Sequence, residues 1–556
     1  MNRYLTVGLI TIITSFFALV PALLAQEQNT KLVVGIVIDQ MRFDFMHKYP
    51  YSENGFNKLL KEGYEFKNAH FNYIQTETGP GHATVSTGAT PSVHGIISNS
   101  WFDRDLNREL NCVEDSTVFT VKNNGPQQST SSSPIHLLSN TISDQLNLTN
   151  NFNSKTIGIS FKDRAAILST GHTADAAYWY DGSDGSFVTS TYYMNHLPEW
   201  VLQFNNSKHT DRYLSKKWEL LKSENQYSMS AADNNPHERV LLGKEQPVFP
   251  YDFSEIRKAY RERNAEYRVF LASPFGNTLI TDFAIEAIKH EQLGKNEFTD
   301  FLMIGYSNTD IIGHTFGPHS REVQDTFMRL DLEIERLISY LDKNIGRDNY
   351  IVFLTSDHGA IHNVDYLSQH NMPIGYVDIE KEAESLENHL NVTFDEGNWV
   401  SNVDHRKIYL NHSLIEKHSI SYKKIIDESV SFLQKVKGIK QVYTSLELRE
   451  IDSNSEASNR IANGFHSIRS GDLYIDYLPG WIDYSADSIE DIKGTTHGSP
   501  HNYDTHVPLL WFGGNIPVGS STRITSISDI APTLSMILNI QLPFASNSNP
   551  LQEIIK

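Results

Sequence analysis

Six acidic and histidine side chains in this 556-residue chain have the types and the spacing of metal ligands. Asp310 and His314 are four residues apart, which lets both side chains point the same way from one helical turn. Asp357 and His358 are adjacent, so their side chains can diverge toward one ion and its neighbour. Carboxylate and imidazole donors in shells of three suit zinc and leave one coordination position open. The full set is Asp39, Asp310, His314, Asp357, His358 and His497.

Two ions held in this way would support one kind of chemistry. Zinc ions about 4 Å apart can hold the attacking and the leaving oxygen of an in-line displacement. Six ligands divide into two shells of three, so the set predicts two zinc ions per chain. Mixed shells of this kind also accept manganese and iron, so the residues leave the metal's identity open. A non-catalytic protein that metals stabilise is the alternative from a different functional class.

The segment "TETGPGHATVSTG", residues 76 to 88, supplies a candidate nucleophile. Proline is favoured in the first turn of a helix and Gly88 suits a helix end, so a helix should begin at the Gly-Pro-Gly turn. Thr78 would then lie just outside the helix N-terminus, where free N–H groups and the helix dipole favour a bound anion. A threonine hydroxyl needs activation at neutral pH, and metal coordination can supply it. Thr76 offers a second hydroxyl, but only Thr78 adjoins the turn.

Short apolar runs precede most of these polar residues and must position them. The runs are "KLVVGIVIDQ" before Asp39, "TIGISFKDR" with Lys162 and Arg164, "FLMIGYSNTD" before Asp310, "YIVFLTSDHG" with Asp357 and His358, and "VPLLWFGG" after the His497 region. Continuous apolar runs of this length are typical of buried strands in a parallel sheet that is covered on both faces. Ligands of such sheets bind beyond the carboxyl ends of the strands.

An amphipathic helix is predicted between two of these strands. Its apolar residues recur at spacings of three and four, at Val323, Phe327, Leu330, Ile334, Leu337 and Leu341. A strand, a helix and a further strand indicate an α/β fold. We therefore expect a mostly parallel central sheet with helices on both faces and with inserted cap subdomains.

Composition suggests how the rest of the chain is organised. We expect one catalytic domain over residues 31–545, with insertions at about 100–290 and about 365–490. Loop signals such as "STSSSP" and "SMSAADNNP" mark the first insertion, and a βαβ-type stretch around "KIYLNHSLIEKH" marks the second. We interpret both as insertions into one core rather than as independent domains.

The N-terminus and the net charge bear on location and partners. A basic residue, an apolar run and a small residue at position 25 predict a signal peptide over residues 1–25, with an uncleaved anchor as the alternative. The single cysteine, Cys112, excludes internal disulfides. A net charge of -20 argues against nucleic acid or an anionic membrane surface as the main partner. We expect an exported, bacterial periplasmic monomer with no membrane contact beyond its signal sequence.

Taken together and in order, the motifs resemble the alkaline phosphatase superfamily, and within it the PafA-type phosphate monoesterases, which use threonine as nucleophile. The motifs are Asp39, "TGPGH" from Thr78, "ISNSW" around Asn99, "SFKDRAAI", "SNTDIIGH", "SDHG" and "GTTHGSPHNYDTHVPLLWFG", and they span about Lys31 to Phe544. The resemblance implies an exported, zinc-dependent alkaline phosphatase that hydrolyses small phosphate monoesters through a phosphothreonine on Thr78. Gly79 departs from the family pattern, since relatives often carry alanine there.

The resemblance also assigns roles residue by residue. It implies one zinc on Asp39, Asp357 and His358 that touches Thr78, and a second zinc on Asp310, His314 and His497. It implies that Asn99 binds a phosphate oxygen and that Lys162 and Arg164 form a basic pair over the other oxygens. The three aspartates and two Zn²⁺ leave one positive charge, and the basic pair raises it to three, which suits a dianionic monoester.

Other members of the superfamily are the competing interpretations. A phosphodiesterase of the nucleotide pyrophosphatase type shares the zinc ligands and the threonine, and it is the main alternative, but it is not expected to carry the Lys162–Arg164 pair. A sulfatase would need a C/S-x-P-x-R motif, which "TGPGH" does not match. A phosphoethanolamine-type transferase would need several transmembrane helices. The remaining histidines singled out by the sequence are interpreted as structural: His82, His94, His172, His319 and His501.

Overall fold

The structure is a computed structural model that describes residues 30–450, 456–484 and 493–555. The expected signal peptide, residues 1–25, lies outside these ranges. Within them, none of the helices combines the length and the apolar character that a bilayer crossing requires.

The strands form one large central sheet and several smaller ones among the described residues. In chain order they are β1 (Leu32–Ile38), β2 (Tyr64–Phe66), β3 (Ala69–His70), β4 (Ser100–Asp103), β5 (Arg108–Asn111), β6 (Glu114–Lys122), β7 (Gly125–Ser132), β8 (Thr156–Ser160), β9 (Ala176–Asp181), β10 (Ser186–Ser190), β11 (Lys217–Trp218), β12 (Tyr251–Asp252), β13 (Asp300–Tyr306), β14 (Tyr350–Thr355), β15 (Gly375–Val377), β16 (Val400–Asp404), β17 (Lys407–Leu410), β18 (Ile439–Thr444), β19 (Leu473–Tyr477), β20 (Trp481–Asp483), β21 (His506–Val507), β22 (Leu509–Gly513), β23 (Gly519–Ser521) and β24 (Thr525–Ser526).

The central sheet has eleven strands in the order β23-β2-β22-β14-β1-β13-β8-β9-β10-β6-β7. Its middle strands β14, β1, β13, β8 and β9 are parallel to one another. Antiparallel pairs appear toward both edges, where β22 pairs with β14 and β10 pairs with β9. The parallel part of the sheet is therefore its centre, where the strands predicted from the sequence lie.

Both faces of this centre are apolar. Alternate residues of β1 join two different core clusters, Leu32, Val34, Ile36 and Ile38 on one face and Val33 and Val37 on the other. Gly35 sits between them because a Cβ there would collide with the Met303 sulfur and the Phe353 ring. A strand buried on both faces has no polar side to alternate with, which explains its continuous apolar sequence.

Helices cover both faces of the sheet. The α-helices span Phe45–Lys48, Phe56–Glu62, Thr78–Thr87, Pro91–His94, Ile142–Thr149, Asp163–Leu168, Glu199–Asn206, His209–Leu214, Phe253–Arg261, Phe275–His290, Asn308–Phe316, Arg321–Asn344, Val364–Gln369, Ile379–Phe394, His412–Lys417, Tyr422–Leu433, Ser445–Glu450, Glu456–Gly464, Asn502–Thr505 and Ile530–Leu538. The long helix Arg321–Asn344 begins at Ser320, whose hydroxyl oxygen accepts from the Val323 N–H. All six of its predicted apolar positions are buried, so the amphipathic helix is confirmed.

The two regions expected as insertions differ in how they join the core. Strands β6, β7, β9 and β10, within residues 114–190, extend the central sheet at one edge. Residues 400–477 form a separate sheet in the order β16-β17-β19-β18. In this sheet β17 and β18 both pair antiparallel with β19, so β17 and β18 run parallel to each other. The βαβ-type stretch predicted from the sequence therefore consists of β17, a helical segment and β18, with β19 lying between the two strands. This small sheet packs with the helices Ile379–Phe394 and Tyr422–Leu433 around its own apolar core.

Candidate active site

Four neighbouring parallel strands of the central sheet bring most of the candidate residues to one edge. Asp39 follows β1, Lys162 follows β8, and Asp357 and His358 follow β14. Asp310 lies in the first turn of the helix after β13. Because β14, β1, β13 and β8 are adjacent and parallel, their carboxyl ends place these side chains together, as expected for the ligand-binding edge of an α/β sheet.

Asp39, Asp357 and His358 form the first group of metal-ligand types, which we call the enclosed cluster. His358 Nε2 lies 3.4 Å from Asp39 Oδ1 and 3.7 Å from Asp357 Oδ2. All three residues are buried. These same three atoms, Asp39 Oδ1, Asp357 Oδ2 and His358 Nε2, have no hydrogen-bond partner among the described residues. Buried donor atoms that converge without hydrogen bonds fit a metal cation.

The pKa values in the enclosed cluster also fit a bound metal cation. Burial, together with the charges of Asp310 and Asp357, raises the pKa of Asp39 well above its ordinary value. Burial lowers the pKa of His358 to about 3, so its ring is neutral. Its Nδ1 donates to the Gly359 carbonyl at 2.9 Å, which leaves Nε2 free as a ligand. A divalent ion would supply the charge that the two carboxylates need.

Asp310, His314 and His497 form the second group, which we call the open cluster. Asp310 Oδ1 lies 3.1 Å from His314 Nε2 and 3.7 Å from His497 Nε2. The other ring nitrogens are held by carbonyl oxygens, His314 Nδ1 by Thr495 at 2.8 Å and His497 Nδ1 by Thr76 at 2.7 Å. Such contacts fix ring orientation and direct Nε2 to a metal. The donor set again fits a metal ion.

The two clusters are neighbours. The rings of His358 and His497 stack with their centroids 3.6 Å apart and their planes 15° from parallel. Each ring belongs to a different cluster, so this stack is the direct contact between the two ligand sets.

Thr78 is the first residue of the helix Thr78–Thr87 and is buried. Its hydroxyl oxygen accepts from Lys162 Nζ at 3.0 Å. Gly81 allows the helix to pack closely against the carboxyl end of β14, since a Cβ at position 81 would collide with the Asp357 backbone. By contrast, the Thr76 hydroxyl donates to the Ser499 carbonyl at 2.9 Å. Only the Thr78 hydroxyl is hydrogen-bonded to a residue that also contacts both clusters.

Lys162 connects the nucleophile candidate to both clusters. Its Nζ lies 2.7 Å from Asp39 Oδ2 and 2.7 Å from Asp310 Oδ2. Burial opposes its charge, but Asp310 and Asp39 outweigh that effect and raise the pKa of Lys162 above its ordinary value. The side chain is therefore an ammonium ion between the two ligand sets.

Asn99 and Arg164 lie beside the same site. The Asn99 side-chain oxygen accepts from the Gly79 N–H at 2.8 Å, in the first turn of the Thr78 helix. Asn99 also lines the cleft that His314 and His497 border. Arg164 belongs to the helix that follows Lys162, and its buried Nε has no hydrogen-bond partner among the described residues.

Three further residues, to which the sequence assigned no role in the site, contact it. Gln40 donates through Nε2 to Asp310 Oδ1 at 2.6 Å and through its backbone N–H to Asp357 Oδ1 at 3.2 Å. Glu77 accepts from the Asn99 N–H at 2.8 Å. His82, interpreted as structural, donates or accepts at Ser169 and places Nε2 3.7 Å from Asp357 Oδ2. Their one sequence signal is proximity to Asp39 and Thr78, with His82 one helical turn after Thr78.

Comparisons with known proteins agree with this geometry. The family model for type I phosphodiesterase / nucleotide pyrophosphatase matches residues 33–504. A protein of Myroides odoratus named calcium-transporting ATPase is 40% identical, and the match covers 98% of each chain. Alkaline phosphatase PafA of Elizabethkingia meningoseptica is 38% identical, and the match covers 96% of each chain.

A solved structure gives the same result. The crystal structure of wild-type alkaline phosphatase PafA matches with a TM-score of 0.88 at 38% identity, over 95% of this chain and 99% of that one. This match confirms the predicted α/β fold. The chain therefore belongs to the type I phosphodiesterase / nucleotide pyrophosphatase family of the alkaline phosphatase superfamily and, within it, to the PafA-type alkaline phosphatases.

Proposed function

We propose that the protein is an alkaline phosphatase that hydrolyses phosphate monoesters with Thr78 as its nucleophile. The observation that carries the proposal is the contact of Lys162 with the Thr78 hydroxyl and with one carboxylate of each cluster. A hydroxyl held by a cation between two metal-ligand sets suits displacement at a phosphate ester. The 38% identity to alkaline phosphatase PafA over nearly the whole chain supports the same activity.

We assign two zinc ions to the clusters, one to Asp39, Asp357 and His358 with the Thr78 oxygen, and one to Asp310, His314 and His497. The buried donor atoms of the enclosed cluster that have no hydrogen bond support this assignment. Bound there, zinc would act as a Lewis acid that favours the deprotonated form of an oxygen and balances negative charge on the leaving oxygen.

The chain's own residues then account for the bond changes. The Thr78 oxygen forms a bond to phosphorus while the bond from phosphorus to the alcohol breaks, which leaves phosphothreonine. Water then cleaves that phosphothreonine and releases inorganic phosphate. Asn99, Lys162 and Arg164 bind the phosphoryl oxygens in this proposal, and the N-terminus of the Thr78–Thr87 helix adds partial positive charge beside them.

The main alternative is a phosphodiesterase of the same family. A monoester dianion carries a phosphoryl oxygen that a diester replaces with an ester group. The buried ammonium of Lys162 therefore interacts most strongly with a monoester. We propose on this ground that the monoester is the better substrate.

A rate comparison tests the proposed function. The purified protein should hydrolyse 4-nitrophenyl phosphate faster than bis(4-nitrophenyl) phosphate or 4-nitrophenyl sulfate. Chelation should abolish that activity and zinc should restore it. A higher kcat/KM for the diester would favour the phosphodiesterase, and full activity in protein shown to be metal-free would refute the metal assignment.

Location and organisation belong to the same proposal. We propose that residues 1–25 direct export to the bacterial periplasm and that residues 31–545 act there as one monomeric catalytic domain, with the insertions at about 100–290 and 365–490 forming its caps. Neither nucleic acid nor a membrane is an expected partner of the mature protein. N-terminal sequencing of the mature protein and its mass in solution test these statements.

A further inference from the structure

A cleft leads from the open cluster to the inserted small sheet. Its volume is about 280 Å³. His314, His497 and Asn99 line the cleft on the side of the metal clusters, and Arg406 and Tyr474 line it from the small sheet. A cavity of this size lies just below the range of roughly 300–1,000 Å³ for drug-sized ligands, so it suits a small leaving group.

Arg406 reaches the cleft from a two-residue hairpin turn. Asp404 and Lys407 are paired at the ends of β16 and β17, which leaves only His405 and Arg406 in the turn. His405 has a φ of 51°, in the left-handed region that non-glycine residues seldom adopt. This tight turn carries a histidine and an arginine where small residues such as Asn and Gly are preferred.

The Arg406 side chain is buried but has no counter-ion. Its guanidinium lies 4.4 Å from the centre of the Tyr477 ring, and the residue is only 8% exposed. Its Nη1 has no hydrogen-bond partner in the described part of the chain, and no carboxylate there lies within ion-pair distance of it. A buried guanidinium normally has an anionic partner, so we expect Arg406 to bind an anion.

Three of the charged groups near Arg406 already have partners. Lys407 Nζ is 2.8 Å from Asp404, and Asp476 on β19 is 2.8 Å from Lys440. His405 Nδ1 is 3.7 Å from Asp483. Asp504 also lines the cleft and interacts with Arg406, but burial raises the pKa of Asp504 to about 7, and it forms no ion pair with the guanidinium. Among the described residues of the cleft, the Arg406 guanidinium therefore remains available to a ligand.

Tyr474 adds an independent second donor. This residue lines the same cleft, it is buried, and its hydroxyl has no hydrogen-bond partner among the residues described. A phenol hydroxyl can donate to a carboxylate that a guanidinium also binds.

We propose that Arg406 and Tyr474 form a subsite for a carboxylate on the leaving group, so that the preferred substrates are small phosphate monoesters of hydroxy acids. This inference rests on the proposed monoesterase function. One guanidinium matches the single charge of a carboxylate. A second phosphate, with two charges, would leave a net negative charge beside Glu77 and Asp483, which also line the cleft.

Matched substrates test the subsite. The zinc-loaded enzyme is assayed on 3- and 4-carboxyphenyl phosphate and on the corresponding carbamoylphenyl phosphates, which differ from them in charge but hardly in size. At least one carboxylate should be preferred in kcat/KM by about tenfold or more, the usual range for a charged hydrogen bond. Arg406→Gln should reduce that preference at least about tenfold, and Tyr474→Phe should reduce it less, since it removes a neutral donor.

A control arginine separates this effect from general loss of packing. Arg347 also lies over an aromatic ring, that of Phe512. It precedes β14 and so lies at the end of that strand away from Asp357 and His358. Arg347→Gln should keep the wild-type preference, and Arg406→Lys should keep part of it. Equal rates on both members of each pair, or an unchanged preference in Arg406→Gln, would overturn the subsite. Failure to hydrolyse any of these monoesters would instead refute the proposed function on which it rests.

Discussion

The enclosed and open clusters use the same donor types in different numbers. The enclosed cluster has two carboxylates and one imidazole, whereas the open cluster has one carboxylate and two imidazoles. A divalent ion would be neutralised by the first set and would keep one positive charge in the second. With both ions bound, the surplus charge would lie at the cluster that borders the cleft, where a departing alkoxide would be released.

The clusters also differ in their access to solvent. The Asp39, Asp357 and His358 side chains are at most 1% exposed, whereas the side chain of His314 is 35% exposed. The enclosed cluster packs against the Thr78 helix at Gly81. This difference suggests a division of roles, with the enclosed cluster serving the nucleophile and the open cluster serving the leaving group and the incoming water.

The largest expected effect tests the nucleophile's side of this comparison. Thr78→Ala should lower kcat for a monoester by at least about 10³-fold, since removing a nucleophile has cost up to about 10⁶-fold in a well-studied hydrolase. Both metals should stay bound, because six protein ligands remain. Steady-state kinetics and metal analysis measure the two results.

Thr76→Ala is the matched control for that substitution. Its hydroxyl donates to the Ser499 carbonyl, so activity should stay near the wild-type level. Acid-quenched wild-type protein should carry phosphate on the peptide that contains Thr78. Phosphate on another residue would show that the nucleophile is wrongly assigned.

A smaller effect is expected for the basic pair Lys162 and Arg164, of which Lys162 contacts both clusters. The double variant Lys162→Ala, Arg164→Ala should lose at least about 10²-fold in kcat/KM toward a monoester, since one donor to transition-state charge typically contributes 10²–10³. Its rate on a diester should change much less. Equal losses on both substrates would mean that the pair supports the ligands, which Lys162 also contacts, rather than the substrate.

The grouping of these six side chains into two clusters was predictable from sequence because each cluster follows a local signal. Asp39 and Asp357 come after apolar runs that are buried on both faces, so the strands and their carboxyl ends could be located without a structure. The helical spacing of Asp310 and His314 is likewise local. Residues of this kind depend on neighbours within a few positions of the chain.

Other features depend on contacts between distant segments. Arg406 lies about 300 residues from Asn99 in the chain, and no periodic sequence pattern predicts that both residues line the same cleft. The strand β7, with the sequence "GPQQSTSS", is a polar edge strand of the central sheet and lacks the apolar pattern that marked the others. Edge strands need no buried face, so their sequences carry a weaker signal.

The free energy of unfolding should distinguish the enclosed cluster from the open cluster, since substitution of a proposed ligand in either one should abolish activity. His358→Ala should lower the free energy of unfolding by about 2–5 kcal/mol, as other large-to-small changes at buried positions do. It also removes a proposed ligand from a cluster whose side chains are at most 1% exposed, and the free energy of metal binding is shared with folding. His314→Ala, at a partly exposed ligand, should cost about 1 kcal/mol.

Chemical denaturation of the two variants, each purified in the presence of zinc, measures this difference. Each variant should also lose one zinc by metal analysis. Equal losses of stability would show that the enclosed and open clusters contribute alike to the fold, and the proposed division would then rest on charge alone.

A buried acidic pair that belongs to neither cluster provides a reference for both. Glu238 and Glu322 are fully buried, and both Glu238 oxygens lack a hydrogen-bond partner among the described residues. Burial and the neighbouring carboxylate Glu322 raise the pKa of Glu238 to about 10, and burial raises the pKa of Glu322 to about 8. With both pKa values above 7, protons neutralise this pair at neutral pH.

The smallest expected effect follows from that difference. Above the ordinary glutamate pKa of 4.5 and below the raised value, the folded state binds more protons than the unfolded state, so the free energy of unfolding falls as pH rises. Glu238→Gln removes this term, and between pH 6 and 9 its stability should fall by up to about 1 kcal/mol per pH unit less than that of the wild type. Glu62→Gln, at an exposed position, should follow the wild type. Parallel curves for Glu238→Gln and wild type would mean that a cation, not a proton, neutralises this pair as well.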